Sequence, residues 1–441
     1  MPFSIGIDRA FVLSGHLRYR PFRGSVGIED ERIAWVGERP LRAGEAVERI
    51  DAAGKILMPG LVNGHCHGEL AFARGMGDDL TLAEQNERFG PSRWFRDLID
   101  DDDRFASRCL TYCEALLSGT TFLCENMFWS LGERSVEAMR SVGIGGALAE
   151  DVRHDFADPD RLLDDGELSA LATRARAGGL VPLLGGPSEE DFEPGRLRRI
   201  EEKRSRLDLL QTCHLAETRW RVDRIERLYG RTPIGFLEEL GCLGERLIGS
   251  HVVHATEEDV ALLAARGVKV VNTPLSEMKI ADGIAPVPEL LRAGVCVGLG
   301  TDGALWNNSN DLFREMKGLA LLQTVRRGIR SLGVADVLDM ATVSGARVFG
   351  LEREMGTVEV GKRADLVLLD AEQAHLSPLR LGAHENVAST VVFCATGGDV
   401  SDVLVGGRPA VREHRIQGVD LADIRRQVAA TSEKVAAALD S

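Results

Sequence analysis

The sequence predicts an α/β protein in which a (β/α)8 barrel of the TIM type stands beside a small β-sandwich domain built by both chain ends. Two observations lead to this prediction. Between residues 58 and 357, short apolar runs alternate with segments of helical period, and eight of the runs qualify as strands. Outside that region, residues 1–57 and 358–418 are rich in short strands, and each part is too small to bury a good core alone.

The barrel region begins with LVNGHCH and continues through further apolar runs. In chain order these are TTFLCE, GIGGALAE, GGLVPLLGG, LDLLQTCHLAE, ERLIGSHVVH, GVKVVNTP and GVCVGLGTDG. Between two of them, TEEDVALLAARG has the pattern of a helix with an N-cap at Thr256 and a C-cap at Gly267. Strands separated by helices of this length predict a parallel sheet, and eight such strands predict a closed barrel.

The strand pattern of the N-terminal part is found again after residue 357. It appears in MGTVEVGKRADLVLLD and VSDVLVGGRPAVREH, and the simplest arrangement pairs these strands with the N-terminal ones. Residues 419–441 then read as one amphipathic helix. The chain is therefore predicted to divide into 1–57 and 358–418 for the β-domain, 58–357 for the barrel, and 419–441 for the helix.

Bulk properties indicate a cytoplasmic protein that binds neither nucleic acid nor membrane, and the small-molecule substrate is inferred below from the site. The net charge of −15 disfavours a surface for nucleic acid or for an anionic membrane. No apolar run approaches the roughly 18 residues of a membrane span, and the first residues, MPFSIGIDRAFVL, lack the order of a signal peptide. The eight cysteines form no CxxC pair, which suits a reducing compartment. A homo-oligomer is compatible with these features.

Histidines and one aspartate collect at the predicted strand ends. His65 and His67 are two apart on the first barrel strand, so both face the barrel mouth, whereas Cys66 faces away. The other residues in such positions are His214, His251, His254 and Asp302. Half of the ten histidines therefore lie where a (β/α)8 barrel builds its active site. This pattern predicts a metal site, because neutral imidazoles bind divalent ions.

At this point the sequence resembles the amidohydrolase superfamily, in the branch of cytosine, guanine and S-adenosylhomocysteine deaminases and triazine hydrolases. The matching strings occur in the family's order along nearly the whole chain. They are PGLVNGHCH, RGMGDDLTL, SGTTFLCE, HLAET, SHVVHATEED, GIAPVPELL, GLGTDGALWNNSNDLFREMK and GTVEVGKRADLVLLD. The resemblance implies one zinc or iron ion with His65, His67, His214 and Asp302 as ligands, and it also implies that Glu217 and His251 act in catalysis.

A single metal is expected because the bridging lysine of binuclear relatives is missing. Those relatives place a carboxylated lysine at the end of the fourth strand, and GGLVPLLGGPSEED contains none. Imidazole and carboxylate ligands suit zinc and iron about equally. A bound divalent ion lowers the pKa of water to about 7.

Three residues are expected to carry the chemistry. Asp302 would accept a proton as water attacks, and Glu217 would protonate a ring nitrogen of the substrate. His251 would orient the attacking hydroxide or stabilise the oxygen that develops on the reacting carbon. The alternative for Glu217 is a carboxylate in the first turn of a helix, favoured by the helix dipole.

Substrate contacts are expected at Gln85, Trp94, Ser188 and Trp306. Deaminases of adenosine-like compounds in this branch carry a histidine in a GPH motif and a tryptophan after the DL of the RG…DL segment. This chain has Ser188 and Gln85 at those places. Stacking could come instead from Trp94, Trp129 or Trp306. Adenosine derivatives are therefore expected to be poor substrates, and smaller amino-heterocycles better ones.

The favoured function is hydrolytic deamination of an amino-substituted N-heterocycle of the purine, pyrimidine, pterin or triazine type, with release of ammonia. One alternative is displacement of chloride or an alkylamine from a triazine-like ring. A second alternative is a catalytically inactive scaffold. Inactive relatives have usually lost metal ligands, whereas all ligand and catalytic positions are filled here.

Overall fold

A computed structural model of the chain describes residues 2–15, 18–89, 94, 98–126, 132–151 and 161–439. Trp129 lies outside these residues. The strands form two sheets of nine segments each. The barrel sheet consists of β6 (Leu61–His67), β7 (Thr120–Asn126), β8 (Gly145–Asp151), β9 (Val181–Gly185), β10 (Leu210–Leu215), β11 (Leu247–His251), β12 (Lys269–Asn272), β13 (Val297–Leu299) and β14 (Asp302–Gly303).

The barrel closes between its first and last strands, as the sequence predicts. Its segments are parallel and follow the order β13-β12-β11-β10-β9-β8-β7-β6-β14. β13 and β14 are two pieces of the eighth strand, separated by Gly300 and Thr301. A Cβ on Gly300 would lie 2.9 Å from the Cβ of His65, so the missing side chain lets this strand approach β6 closely. Pairing of Asp302 with Cys66 then brings Asp302 beside the two histidines of β6.

The second sheet joins both chain ends into one domain, again as predicted. Its strands are β1 (Phe3–Val12), β2 (Phe22–Glu29), β3 (Arg32–Gly37), β4 (Ala46–Asp51), β5 (Lys55–Pro59), β15 (Leu366–Asp370), β16 (Val400–Val405), β17 (Arg408–Arg412) and β18 (Arg415–Ile416). The ends meet where β5 pairs antiparallel with β15. The expected sandwich is one continuous sheet. It curls back on itself, since edge strand β3 bridges to Arg363, just before the central strand β15.

Helices cover the outside of the barrel. They are α1 (Leu82–Phe89), α2 (Asp101–Leu117), α3 (Gly132–Val142), α4 (Asp165–Ala177), α5 (Pro194–Leu207), α6 (Arg219–Tyr229), α7 (Pro233–Glu239), α8 (Glu257–Arg266), α9 (Pro274–Lys279), α10 (Val287–Arg292), α11 (Leu312–Arg327), α12 (Val334–Ala341), α13 (Val343–Val348), α14 (Val387–Phe393) and α15 (Leu421–Leu439). Short 3-10 helices span Gly68–Ala73, Glu189–Asp191, Ala374–Leu376, Gly382–His384 and Gly397–Asp399.

The C-terminal helix α15 belongs to the barrel rather than to the β-domain. It packs against α2 and the 3-10 helix after β6. Its Thr431 hydroxyl donates to Asp103 at 2.7 Å, and Lys434 donates to the same carboxylate at 3.0 Å. In the part of the chain that the structure describes, no helix is both long enough and apolar enough to cross a bilayer.

Candidate active site

Four side chains converge at the C-terminal mouth of the barrel. The Nε2 atoms of His67 and His214 lie 3.3 Å apart. The Oδ1 atom of Asp302 lies 3.6 Å from Nε2 of His65 and 3.6 Å from Nε2 of His67. Ligand atoms about 2.0–2.1 Å from a tetrahedral ion are about 3.4 Å apart, so the spacing fits one divalent metal. His251 extends the group, because its candidate ligand atom lies within 4.8 Å of those of His65 and His214.

The outer nitrogen of each imidazole is held by a neighbouring strand or loop. Nδ1 of His67 donates to the carbonyl of Asn126 at 2.7 Å, which leaves Nε2 with a lone pair toward the centre. Nδ1 of His65 lies 2.9 Å from the Ser250 hydroxyl. Nδ1 of His214 lies 3.3 Å from the Ser188 hydroxyl. These contacts orient all three rings for metal binding.

Burial keeps the ligand imidazoles neutral. It lowers the pKa of His67 to about 4, with the neighbouring His65 adding to the effect. Burial likewise lowers the pKa values of His65 and His214. Asp302 shows the opposite balance: burial opposes its charge, but the Nε2 atom of His65 3.6 Å away and the nearby ring of His251 hold its pKa below the usual value. Neutral imidazoles with an ionised carboxylate are the ligand forms that a divalent cation requires.

The backbone is strained at the residues that form this centre. Ala216, His251, Val252 and Asp302 have φ values of 48°, 73°, 57° and 62°, a region that residues with a Cβ rarely adopt. Such strain is concentrated at functional sites, where surrounding contacts hold it. For Asp302 these contacts include the Ser276 hydroxyl, which donates to Oδ2 at 2.6 Å.

Glu217 and His251 face each other beside the ligands. Both are buried, and Nε2 of His251 lies 3.9 Å from Oε1 of Glu217. Nδ1 of His251 donates to the Thr273 hydroxyl at 2.8 Å, which itself donates to Glu277 at 3.2 Å. Burial opposes a charge on the His251 ring, yet Glu217, Glu277 and Asp302 raise its pKa to about 10. The ring is therefore a charged hydrogen-bond donor at neutral pH.

A buried arginine connects Glu217 to the loop after β9. Arg221 follows Glu217 by one helical turn, and its Nη1 donates to Oε2 of Glu217. Its Nη2 donates to Oε1 of Glu190 at 2.6 Å, and its Nε lies 2.6 Å from Oε2 of the same carboxylate. Burial opposes the charge of Arg221, but Glu190, Glu217 and Glu189 raise its pKa.

The four residues expected to contact substrate have different surroundings. Trp306 is buried at the centre, with its ring 5.2 Å from that of His67. Ser188 contacts His214, a candidate metal ligand. The Gln85 amide nitrogen donates to the carbonyl oxygens of Gly77 and Leu80. Trp94 is fully buried between Phe72 and Phe89. The surroundings of Gln85 and Trp94 match a packing role, and their contact with substrate remains a prediction.

Several residues of the site carry no signal in the sequence. Ser250, Thr273 and Ser276 are common residue types whose roles depend on which strand end they face. Arg221 is one of many arginines on helical segments. Asp282 is a further case, because its Oδ2 atom is buried without a hydrogen-bond partner among the described residues, and burial together with Glu217 raises its pKa to about 8. The NTPLSEMKIAD segment that holds three of these residues could have been singled out only for its position after a barrel strand.

Comparisons with known proteins identify relatives in sequence and in fold. The chain is 38% identical over 419 residues to a 5-methylthioadenosine/S-adenosylhomocysteine deaminase of Desulforudis audaxviator, covering 94% of this chain and 95% of that protein. The structure of a zinc-bound adenosine deaminase from Xanthomonas campestris superposes with a TM-score of 0.90 at 26% identity, covering 99% of both chains. A zinc complex of atrazine chlorohydrolase from Arthrobacter aurescens gives a TM-score of 0.84 at 23% identity, covering 97% of this chain and 100% of that one, and shares the fold.

The family model for the amidohydrolase family matches residues 56–410, which is most of the chain. This range contains the whole barrel and extends into the second part of the β-domain. The chain belongs to the amidohydrolase family, and it is a hydrolase that acts on carbon–nitrogen bonds.

Proposed function

We propose that this chain is a cytoplasmic, metal-dependent deaminase of an aminopurine that releases ammonia. The observation that carries the proposal is the convergence of three oriented imidazoles and Asp302 beside Glu217 and His251. The relatives named for deamination of 5-methylthioadenosine, S-adenosylhomocysteine and 5'-deoxyadenosine support a purine ring. All eight cysteines lie within the described residues and are free thiols, which supports a reducing compartment.

The proposed chemistry divides among three residues. When bound by His65, His67, His214 and Asp302, zinc or iron activates water as a nucleophile at neutral pH. Asp302 takes a proton from the attacking water, and Glu217 protonates the ring nitrogen next to the amino-bearing carbon. His251 donates from Nε2 to the oxygen that develops on that carbon. Asp302 then gives its proton to the amino group, and the carbon–nitrogen bond breaks to release ammonia. The added hydroxyl loses its proton to Glu217, which restores the acid and leaves a carbonyl on the ring.

The test is a coupled ammonia assay with the metal-loaded enzyme. The panel contains adenosine, 5-methylthioadenosine, S-adenosylhomocysteine, adenine and guanine, with aminopyrimidines, pterins and triazines as contrasts. We expect a kcat/KM of at least about 10⁴ M⁻¹s⁻¹ for one aminopurine. Release of chloride or alkylamine from a triazine, without ammonia from any aminopurine, would show the alternative hydrolase. No turnover of any compound by metal-loaded protein would favour the inactive scaffold.

The relatives of this chain and its residues at positions 85 and 188 lead to different expectations for the kcat/KM of nucleosides and free bases. The names of the relatives favour nucleosides. The replacement of histidine and tryptophan by Ser188 and Gln85 predicts that free bases react better, because a site that loses a buried hydrogen-bond donor discriminates against the substrate that needs it. A kcat/KM near about 10⁵ M⁻¹s⁻¹ for any adenosine derivative would contradict the prediction from Ser188 and Gln85.

A further inference from the structure

The loop after β9 contacts the segment His214–Glu217 through three consecutive residues. The Ser188 hydroxyl lies 3.3 Å from Nδ1 of His214. The Glu189 carboxylate accepts the backbone N–H of Ala216 through Oε1. The Glu190 carboxylate pairs with Arg221, which donates to Glu217. One short loop therefore reaches the metal ligand, the turn after it and the expected proton donor.

The contact made by Glu189 supports a strained turn. Ala216 has a φ of 48°, so the chain between His214 and Glu217 adopts a left-handed conformation that alanine disfavours. Glu189 is fully buried, and its Oε2 atom has no hydrogen-bond partner among the described residues. A buried carboxylate that accepts the N–H of a strained residue holds that turn in place.

Because of Glu190, the guanidinium of Arg221 is shared between two carboxylates, those of Glu190 and Glu217. Arg221 is 5% exposed, so its charge needs partners inside the protein. The Glu190 carboxylate contacts two nitrogens of the guanidinium, Nη2 and Nε, whereas Glu217 contacts only Nη1. The Glu190 side chain is 32% exposed and the Glu217 side chain 4%, so Glu190 is the carboxylate on the solvent side. Without Glu190, the guanidinium of Arg221 would attract Glu217 more strongly. The Glu217 carboxylate would then move toward Arg221 and away from His251.

We propose that Glu190 is a positioning residue for the deamination, which acts through Arg221 to set the place of the Glu217 carboxylate, while Glu189 fixes the turn that carries Glu217. This inference rests on the proposed function, because it assigns a role to the residue that donates the proton. It follows from the juxtaposition of Glu189, Glu190 and Arg221 with Glu217. Glu189 and Glu190 thus act on the proton transfer through Ala216 and Arg221, and not through a contact of their own with substrate.

The kinetic test uses Glu190→Gln in the metal-loaded enzyme with its best aminopurine. We expect kcat to fall about tenfold to hundredfold, a share of the roughly 10²–10⁴ that general acid–base catalysis supplies. KM should change by less than about threefold, because no substrate contact is removed. Glu190→Asp keeps the charge and should recover most of the loss. Glu226→Gln is the matched control, since Glu226 pairs with Arg219 at 3.1 Å on the exposed side of α6.

A double-mutant cycle separates a role through Arg221 from a general loss of stability. In an Arg221→Gln background, Glu190→Gln should change kcat by less than about twofold, because the connecting side chain is gone. Metal content should match the wild type in Glu190→Gln, and the variant should be folded at the assay temperature. Full additivity of the two substitutions, or wild-type kcat in Glu190→Gln, would overturn the proposal.

A crystal structure of Glu190→Gln tests the inference without activity. The Glu217 carboxylate should move by about 1 Å or more relative to His251, a shift large enough to impair catalysis. An unchanged Glu217 would overturn the positioning role even if the enzyme is a deaminase. If the wild type turns over nothing in the panel, the proposed function fails, and the crystallographic result still decides whether Glu190 positions Glu217.

Discussion

At the scale of single residues, the site combines groups whose protonation is pushed in opposite directions. Burial keeps the rings of His65 and His67 neutral, whereas nearby carboxylates raise the pKa of His251 to about 10. Glu217 lies between the charged His251 and the guanidinium of Arg221. These two neighbours hold its carboxyl group in one orientation beside the candidate metal ligands.

We expect Glu217→Gln to keep the fold and the metal while kcat falls by at least about 10²-fold, the usual contribution of general acid–base catalysis. Glutamine keeps the shape of the side chain but cannot deliver a proton at neutral pH. The measurement is kcat with metal content determined on the same preparation. Normal turnover by the variant would show that Glu217 is not the proton donor.

The candidate metal ligands are more readily predicted from the sequence than the residues that hydrogen-bond to them. His65, His67 and Asp302 are visible because histidine and aspartate at strand ends are unusual in a chain with ten histidines. Their supports belong to common residue types, and their effect depends on the order of strands in the barrel. Ser250 supports His65 because β11 faces β6 across the barrel, although 185 positions separate the two residues in the chain. No local pattern encodes that contact.

At the scale of elements, the helix caps are determined locally and were predictable. Thr256 accepts the N–H of Asp259 and forms a capping box at the start of α8. Gly267 ends the same helix with a φ of 65°. Both features depend on residues within one helical turn of the cap. The division of the eighth strand into β13 and β14 was not predicted, because it follows from the close approach of Gly300 to His65.

Two glycines near α8 test this local control. Gly267→Ala should lower the free energy of unfolding by about 1 kcal/mol or more, because alanine resists a positive φ. Gly244→Ala is the matched control, since a Cβ there meets nothing within 4 Å and its φ is not in the positive range. It should be neutral or stabilising by about 0.4–1 kcal/mol. Urea denaturation measures both, and equal stability of the two variants would contradict the C-cap interpretation.

At the scale of the whole molecule, the pairing of β5 with β15 joins the two chain ends into one sheet, and the chain passes directly from β5 into β6 of the barrel. The sequence predicts this arrangement because neither strand-rich end can bury a core by itself. It does not predict that the β-domain is one curled sheet, since that depends on the contact of β3 with residues near Arg363. A contact between segments so far apart in the chain produces no recognisable pattern of apolar and polar residues in either one.

The stability of the metal-free protein should depend on pH through the buried imidazoles. His65, His67 and His214 have lowered pKa values in the folded state, that of His67 falling from 6.5 to about 4. Between these values an unfolded imidazole binds more protons than a folded one, so the contribution of these rings to stability is present above pH 6.5 and is lost as pH falls. His251 and the buried carboxyls of Glu125 and Glu189, whose pKa values are raised to about 10, 7 and 7, act in the opposite sense, so the effect of the imidazoles is measured against a variant that lacks one of them.

Thermal unfolding after chelation checks this prediction. His67→Asn removes one of the rings and leaves the other titrating groups in place. As the pH is lowered from about 7.5 to about 4.5, the midpoint of the wild type should fall relative to that of His67→Asn, because the ring contributes up to about 1.4 kcal/mol per pH unit to the free energy of unfolding. A constant difference between the two midpoints would mean that the His67 imidazole is accessible to protons in the folded state.

Metal content is the last property of the whole molecule that the site predicts. The two groups of three candidate ligands share His65, so they describe one centre rather than two. β9 ends at Gly185 and leads to Ser188, which contacts His214, so no lysine stands at this strand end to bridge a second ion. We expect about one zinc or iron per chain by elemental analysis, lost together with activity on chelation. His384→Ala, in a 3-10 helix of the C-terminal region outside the barrel, should keep that content. Two metals per active chain would contradict the single centre, and so would full activity after complete chelation.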